Sequence, residues 1–328
     1  MRLGSESLLL LLLGLVAGFV AGLLVASHTC TQGSVHSSAS SGPTGPEAVI
    51  NRIRGAIAVT PAIRDKALLI LHDMAGRHSA VANSSAPLAP GERYCIPLSL
   101  YRWNRYRVEL SSNSSVDVYL RGKGTSLLLA TLAKRYEEWL RVSRSGSYEI
   151  CVEAAEPANV RLLVEAWPPS NITNDPVFKT LAIAVWAAEN LHYVSDPLGL
   201  DYVAPPEETL RTLSGDCDDF AVLLTSMYIS VGLRSAVALI DTNNDGAPDH
   251  AATLVELPYS STVLREKIPA VLQPLGAQYD GYTTAHVGNS TWLVIDPAMA
   301  YQGKEPWLVL KQPYKIIYII KAYETGQR

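Results

Sequence analysis

The alternation of apolar and polar positions divides the chain into stretches of different character. Leu8 to Ala26 is an unbroken run of 19 apolar, uncharged residues. At about 1.5 Å per residue, a helix of that length matches the ~30 Å hydrocarbon core of a bilayer. Residues 31–46, TQGSVHSSASSGPTGP, have no means of burying a core and read as a flexible Ser/Gly/Pro linker. From residue 47 to about Met74, Ile50, Ile53, Ile57, Ile63, Leu68 and Leu69 recur at roughly helical spacing, with Pro61 splitting the pattern. Residues 47–80 are therefore drawn as a helical stalk, or as helices packed on a later domain. Residues 81–168 change to period two: RYRVEL, VDVYLRG, LLLATLA, EEWLRVS, SYEICVEA and VRLLVEAW are short runs, several separated by Ser/Asn/Gly turns. Six or seven such strands predict a β-sandwich.

Pro168-Pro169 marks the next boundary. Over residues 169–328, apolar spacing is first helical (Phe178, Leu181, Val185, Trp186, Leu191), with further helices at Thr209–Leu213 and from Cys217 to about Val231. Strands follow in SAVALID, HAATLVEL, STWLVIDP and YKIIYIIKAY, with a helical insertion, LREKIPAVLQPL, between two of them. Helices first and an antiparallel sheet later is an α+β order. The expected architecture is thus an N-terminal transmembrane helix within residues 1–30, a linker, a stalk, a β-sandwich and an α+β domain.

Composition narrows the function classes. Lys and Arg number 27 against 31 Asp and Glu, a net charge of −4, which argues against nucleic acid as a partner. Charged residues are 18% and hydrophobic ones 48%, so the chain as a whole is not disordered. Much of the mean hydropathy of +0.11 belongs to residues 8–26. Arg2 precedes that run and Glu6 offsets it, a mild bias toward a cytoplasmic N-terminus. An uncleaved signal-anchor and a cleaved signal peptide compete, and the length favours the anchor. The expectation is a single-pass cell-membrane protein that contacts lipid through residues 8–26, with the bulk of the chain extracytoplasmic. The sequons at Asn83, Asn113, Asn171 and Asn289 lend this mild support. Of four cysteines, Cys30 is juxtamembrane, and Cys95 and Cys151 are expected to form a disulfide in an exported domain.

Cys217 is different. Ser214-Gly215-Asp216-Cys217-Asp218-Asp219-Phe220 opens an apolar helix, with Asp216 or Ser214 as N-cap. A helix N-terminus favours a thiolate, and its N–H groups point at nearby negative charge. Three adjacent carboxylates oppose that effect, so a cationic imidazole is needed beside the sulfur. Of seven histidines, His250 stands at the mouth of an apolar strand, where it can serve as base. Asp296 ends another apolar strand and needs a buried partner, which makes it the orienting group.

Gly215-Asp216-Cys217-Asp218-Asp219-Phe220-Ala221, then His250 opening a strand, then Trp292 to Asp296-Pro297, resembles the transglutaminase-like superfamily, particularly microbial and archaeal members with a GDCxDxA helix start. The resemblance covers about residues 170 to 300. It implies a papain-like domain of helices packed on an antiparallel sheet, with Cys217 as nucleophile, His250 as base and acid, and Asp296 as orienting carboxylate. Trp186, Tyr193 and Asp216 are weaker candidates for the substrate and oxyanion region; for Trp186 and Tyr193 ordinary core packing is the stronger reading. The separation of 46 positions from His250 to Asp296 exceeds the family's expected spacing. The responsible insertion, from about Pro258 to Asn289, is a candidate lid and makes Asp280 a rival to Asp296.

Asp241, Asn243, Asp245 and Asp249 follow a D-x-N-x-D-G pattern whose oxygens suit calcium. Ala252 stands where an EF-hand needs Glu, so the alternatives are a looser structural calcium loop or an Asx-rich turn. No cofactor is required for thiol chemistry. The expected activity is that of a cysteine protease or amidase acting on a protein or peptide, with a crosslinking transglutaminase and a non-catalytic binding scaffold as alternatives. A calcium-dependent adhesion protein is a weaker third.

Overall fold

The computed structural model describes residues 45–122, 124–197, 202–279, 281–288, 290–298 and 315–322. The apolar run at 8–26, Cys30, nearly all of the linker, Asp280 and Asn289 lie outside the described residues. Among the described residues, no helix is long and apolar enough to cross a membrane. The expected N-terminal membrane helix is thus not found, and the assignment to the cell membrane is corrected accordingly.

The fold is mixed α+β. Six α-helices are present among the described residues: α1 (Pro46–Ala56), α2 (Pro61–Ala75), α3 (Pro176–Asn190), α4 (Pro206–Thr212), α5 (Cys217–Ser230) and α6 (Ser261–Leu275). Proline at the start of α1 through α4 suits a position where the missing N–H forms no helical bond. Asp175 caps α3 by accepting from the Val177 and Phe178 amides at 2.9 and 3.2 Å.

The first sheet contains β1 (Ser79–Leu88), β2 (Arg93–Leu100), β3 (Arg105–Gly122), β4 (Thr125–Leu140), β5 (Gly146–Ala154) and β6 (Ala158–Trp167). Its order is β1-β6-β3-β5-β2, with β4 also paired to β3. The long β3 pairs β6 through Arg105–Ser112 and β5 through Val116–Arg121. Period-two burial is clearest in β6, where Ala158, Val160, Leu162, Val164 and Ala166 face a core with Tyr106, Val108, Val118 and Ile150. Cys95 lies directly opposite Cys151 on β2 and β5, and the two form the expected disulfide across 56 residues. Sequence reading breaks β3 at Ser111–Ser115, but the strand runs through. Its polar side chains bond sideways there: Asn113 Oδ1 accepts from the Asn159 amide at 2.7 Å, and Ser114 Oγ donates to the Pro157 carbonyl at 2.8 Å.

The second sheet has the order β11-β12-β10-β9-β13, all antiparallel, where β9 is Ser235–Asp241, β10 His250–Glu256, β11 Thr284–Val287, β12 Ser290–Ile295 and β13 Lys315–Lys321. Every residue of β9 is buried. Val237, Leu239 and Ala251 pack with Cys217, Phe220 and Val222 of α5. A pair of two-residue strands, β7 (His192–Tyr193) and β8 (Ser214–Gly215), runs parallel beside this layer.

The helices read as a stalk or as packed on a later domain pack into the same unit. Ile53 of α1 is fully buried beside Cys217 and Phe220, and Ile63, Ala67, Ile70, Leu71 and Met74 of α2 join Phe178, Leu181, Leu224 and Met227. Nor is the insertion after β10 a lid. Its α6 buries Leu264, Ile268, Val271 and Leu272 in that core and meets the first sheet through Gln273. Gln273 accepts from Tyr106 Oη at 2.9 Å and from Asn104 Nδ2 at 3.1 Å, and its amide donates to the Ser99 carbonyl at 2.8 Å.

Candidate active site

The cysteine enters the site from a tightly specified turn. Leu213 takes a left-handed conformation (φ 53°) that ends α4, and the chain then runs through β8 into α5. Asp216 and Asp219 form a reciprocal capping box. Asp216 accepts from the Asp218 amide at 3.3 Å, and Asp219 reaches back to the Asp216 amide at 3.2 Å. The other oxygen of Asp219 takes the Ala204 amide at 2.7 Å, tying the preceding loop to the helix start. Gly215 is required here, since a Cβ would lie 2.5 Å from Asp219 Oδ2. Burial, with Asp216 nearby, pushes the Asp219 carboxyl up to about 6. Sequence reasoning offers Asp216 as an N-cap but passes over Asp219 as its reciprocal partner, although the signal, Asp-x-x-Asp at a helix start, is present in the chain.

Cys217 is the first residue of α5 and is buried. In this structure its sulfur is disulfide-bonded. The helix lies on β10: Thr253 Oγ1 donates to the Ala221 carbonyl at 3.3 Å, and Cys217 shares an apolar cluster with Ala251, the neighbour of His250.

His250 and Asp296 meet directly, with Nε2 and Oδ2 2.6 Å apart and side chains only 11% and 4% exposed. The register explains how residues so distant in sequence come together. Thr253 lies opposite Ile295, so Asp296, one residue on, arrives beside the start of β10. Burial opposes charge on the imidazole, but Asp296, bonded to it, and the nearby carboxylates of Asp249 and Asp216 outweigh this, and the His250 pKa is raised.

Tyr193 belongs to the same neighbourhood. It pairs with Gly215 across the β7–β8 ladder, and its ring meets Phe220 edge-on at 6.3 Å. Burial, with the carboxylates of Asp216, Asp218 and Asp296, pushes its hydroxyl up to about 12. Trp186 is elsewhere: it packs in the α2–α3–α5 core under Lys66, whose Nζ lies 5.1 Å from the ring centre. Of the other histidines among the described residues, His72, His78, His192 and His286 are exposed.

The Asp241 loop closes on itself. Asp241 accepts from the Asn244 and Gly246 amides at 2.6 and 2.9 Å, Asp245 from Ala247 at 2.8 Å, and Asp249 from the Thr242 amide and hydroxyl at 2.8 to 2.9 Å. Its carboxylates are directed to backbone and hydroxyl donors, the arrangement of an Asx-rich turn.

Residues 170–297 match the family described as the transglutaminase-like superfamily. This stretch carries Cys217, His250 and Asp296. The curated proteins contain no match to the chain. Among solved structures, the chain is similar to PliG of Aeromonas hydrophila, a periplasmic inhibitor of g-type lysozyme, with 18% identity and a TM-score of 0.23 over 28% of this chain and 88% of that one. It is also similar to PliG of Salmonella Typhimurium, with 20% identity and a TM-score of 0.20 over 26% and 86%.

Proposed function

We propose that this protein is a thiol acyl-transfer enzyme that hydrolyses peptide or side-chain amides through Cys217, His250 and Asp296. In this reading residues 81–168 form a β-sandwich and residues 169–328 a papain-like domain, with α1 and α2 packed onto the latter. The buried 2.6 Å contact between His250 and Asp296, beside the helix that begins at Cys217, carries the proposal.

The reaction starts from the reduced Cys217 thiol, which an external dithiol must first release from its disulfide by accepting that bond. The His250 imidazole takes the thiol proton, and the carboxylates that raise its pKa favour the resulting imidazolium. Sγ attacks the amide carbonyl carbon. Tyr193, whose raised pKa keeps it protonated, donates to the oxyanion. The C–N bond breaks as His250 gives its proton to the leaving amine, leaving a thioester. His250 then deprotonates water, which attacks the thioester, and the acid product and the thiol are released. The chemistry needs no cofactor.

The test is alkylation of the full chain by iodoacetamide at neutral pH after mild reduction, with the labelled cysteine mapped by mass spectrometry. Cys217 is expected to label fast, and His250→Ala to abolish the enhancement. Labelling no faster than a free thiol in both proteins overturns the proposal. Incubation with a glutamine peptide and a fluorescent primary amine separates the outcomes: hydrolysis releases ammonia, whereas incorporated amine marks a transamidase.

A further inference from the structure

The first sheet has an edge with unusual features. Among the described residues, β4 pairs only with β3. Its outer side therefore leaves alternate N–H and C=O groups without a strand partner, over 16 residues that contain no proline. Leu132 and Trp139 on this strand are 71% and 48% exposed. A bulge limits the regular part of the edge. Leu132 has φ 51°, and Asp117 Oδ1 holds the bulge by accepting from the Leu132 amide at 2.9 Å and the Thr131 hydroxyl at 2.8 Å. β4 then continues to Leu140, in regular register with β3 from Arg135, opposite Ser111, to Leu140, opposite Tyr106.

Within that segment lies Lys134-Arg135-Tyr136-Glu137-Glu138, whose charge inverts about Tyr136. We propose that β4 docks antiparallel on β4 of a second copy of this chain, extending the sheet across a two-fold axis at Tyr136. In that register Lys134 lies opposite Glu138 of the second copy and Arg135 opposite its Glu137, and each pair is made twice. Side chains alternate along a strand, so each opposed pair shares one face of the sheet. The same register sets exposed Trp139 against Ala133. Parallel pairing in register would put Lys134 against Lys134 and Glu138 against Glu138, and a slip by one residue in either direction would keep only one of the two kinds of opposed ion pair. The charge pattern therefore selects both the direction and the register. An isologous contact of this kind closes at two chains.

Sedimentation velocity on the full chain tests this with two variants that retain native circular dichroism. Lys134→Glu/Arg135→Glu makes the segment wholly acidic, and Glu137→Lys/Glu138→Lys makes it wholly basic. The native chain is expected to dimerise, each variant alone to self-associate roughly tenfold more weakly or worse, and an equimolar mixture of the two to recover the dimer. A native chain that sediments as a monomer, variants that dimerise as well as the native chain, or a mixture that stays monomeric would each overturn the proposal.

Discussion

Replacing Asp296 by Asn tests the electrostatics of the site at a single atom. The change keeps the shape of the side chain and removes the charge 2.6 Å from His250 Nε2. With side chains 11% and 4% exposed, solvent screens the pair little. A hydrogen bond to a charged group contributes about 1.5–3 kcal/mol net, which sets the scale of the loss. Its pH dependence has a definite sign. Because the folded-state pKa of His250 is raised, the contribution is complete below the unfolded imidazole value of ~6.5 and is lost as pH rises through the folded value. Urea unfolding of the native and Asp296→Asn proteins at ~pH 6 should show the full difference, and at ~pH 9 a smaller one. A difference that stays constant or grows with pH would refute this account of the His250 environment. Turnover of an amide substrate should fall on the order of 10³–10⁴-fold, since an unoriented imidazole is a poor base for the thiol.

Other sites give sharper structural readouts. Gly215→Ala should destabilise the protein by about 1–3 kcal/mol in thermal or urea unfolding, because the new Cβ displaces Asp219 from its capping box. Gln273→Ala leaves Tyr106 Oη and Asn104 Nδ2 without that acceptor and should cost about 1–3 kcal/mol, measured the same way. Lys267→Ala strips the partner from Asp175, which also caps α3, and should cost on the order of 3–5 kcal/mol. Millimolar calcium should leave the melting temperature unchanged, because the Asp241, Asp245 and Asp249 carboxylates already accept from donors within their loop.

The candidate site was legible where chemistry imposes unusual residues on ordinary elements. Cys217 at a helix start, His250 at a strand mouth and Asp296 at a strand end each stand out as polar groups on apolar elements. The strand register then joins the last two. Core packing is the stronger sequence reading of Trp186, and the structure places it in the α2–α3–α5 core. The sequence leaves α1 and α2 open between a stalk and packing on a later domain, because their buried faces meet partners more than a hundred residues away. Serine and asparagine at 111–115 mimic a turn when read alone. Only neighbouring strands, which offer partners to those side chains, keep β3 extended.

The pairing of β1 with β6 places Ser79 beside Ala166. The chain thus enters and leaves the first sheet at nearly the same point, while α2 before it and α3 after it share one core. The six strands form an excursion within a single helical layer. Such an excursion can be removed and its ends rejoined by a short bridge without stretching the helices, as insertions between close ends are generally tolerated. On the ribosome the order of events is inverted: the strands complete their own core early, and α1 and α2 wait for residues made much later before they can bury their apolar faces.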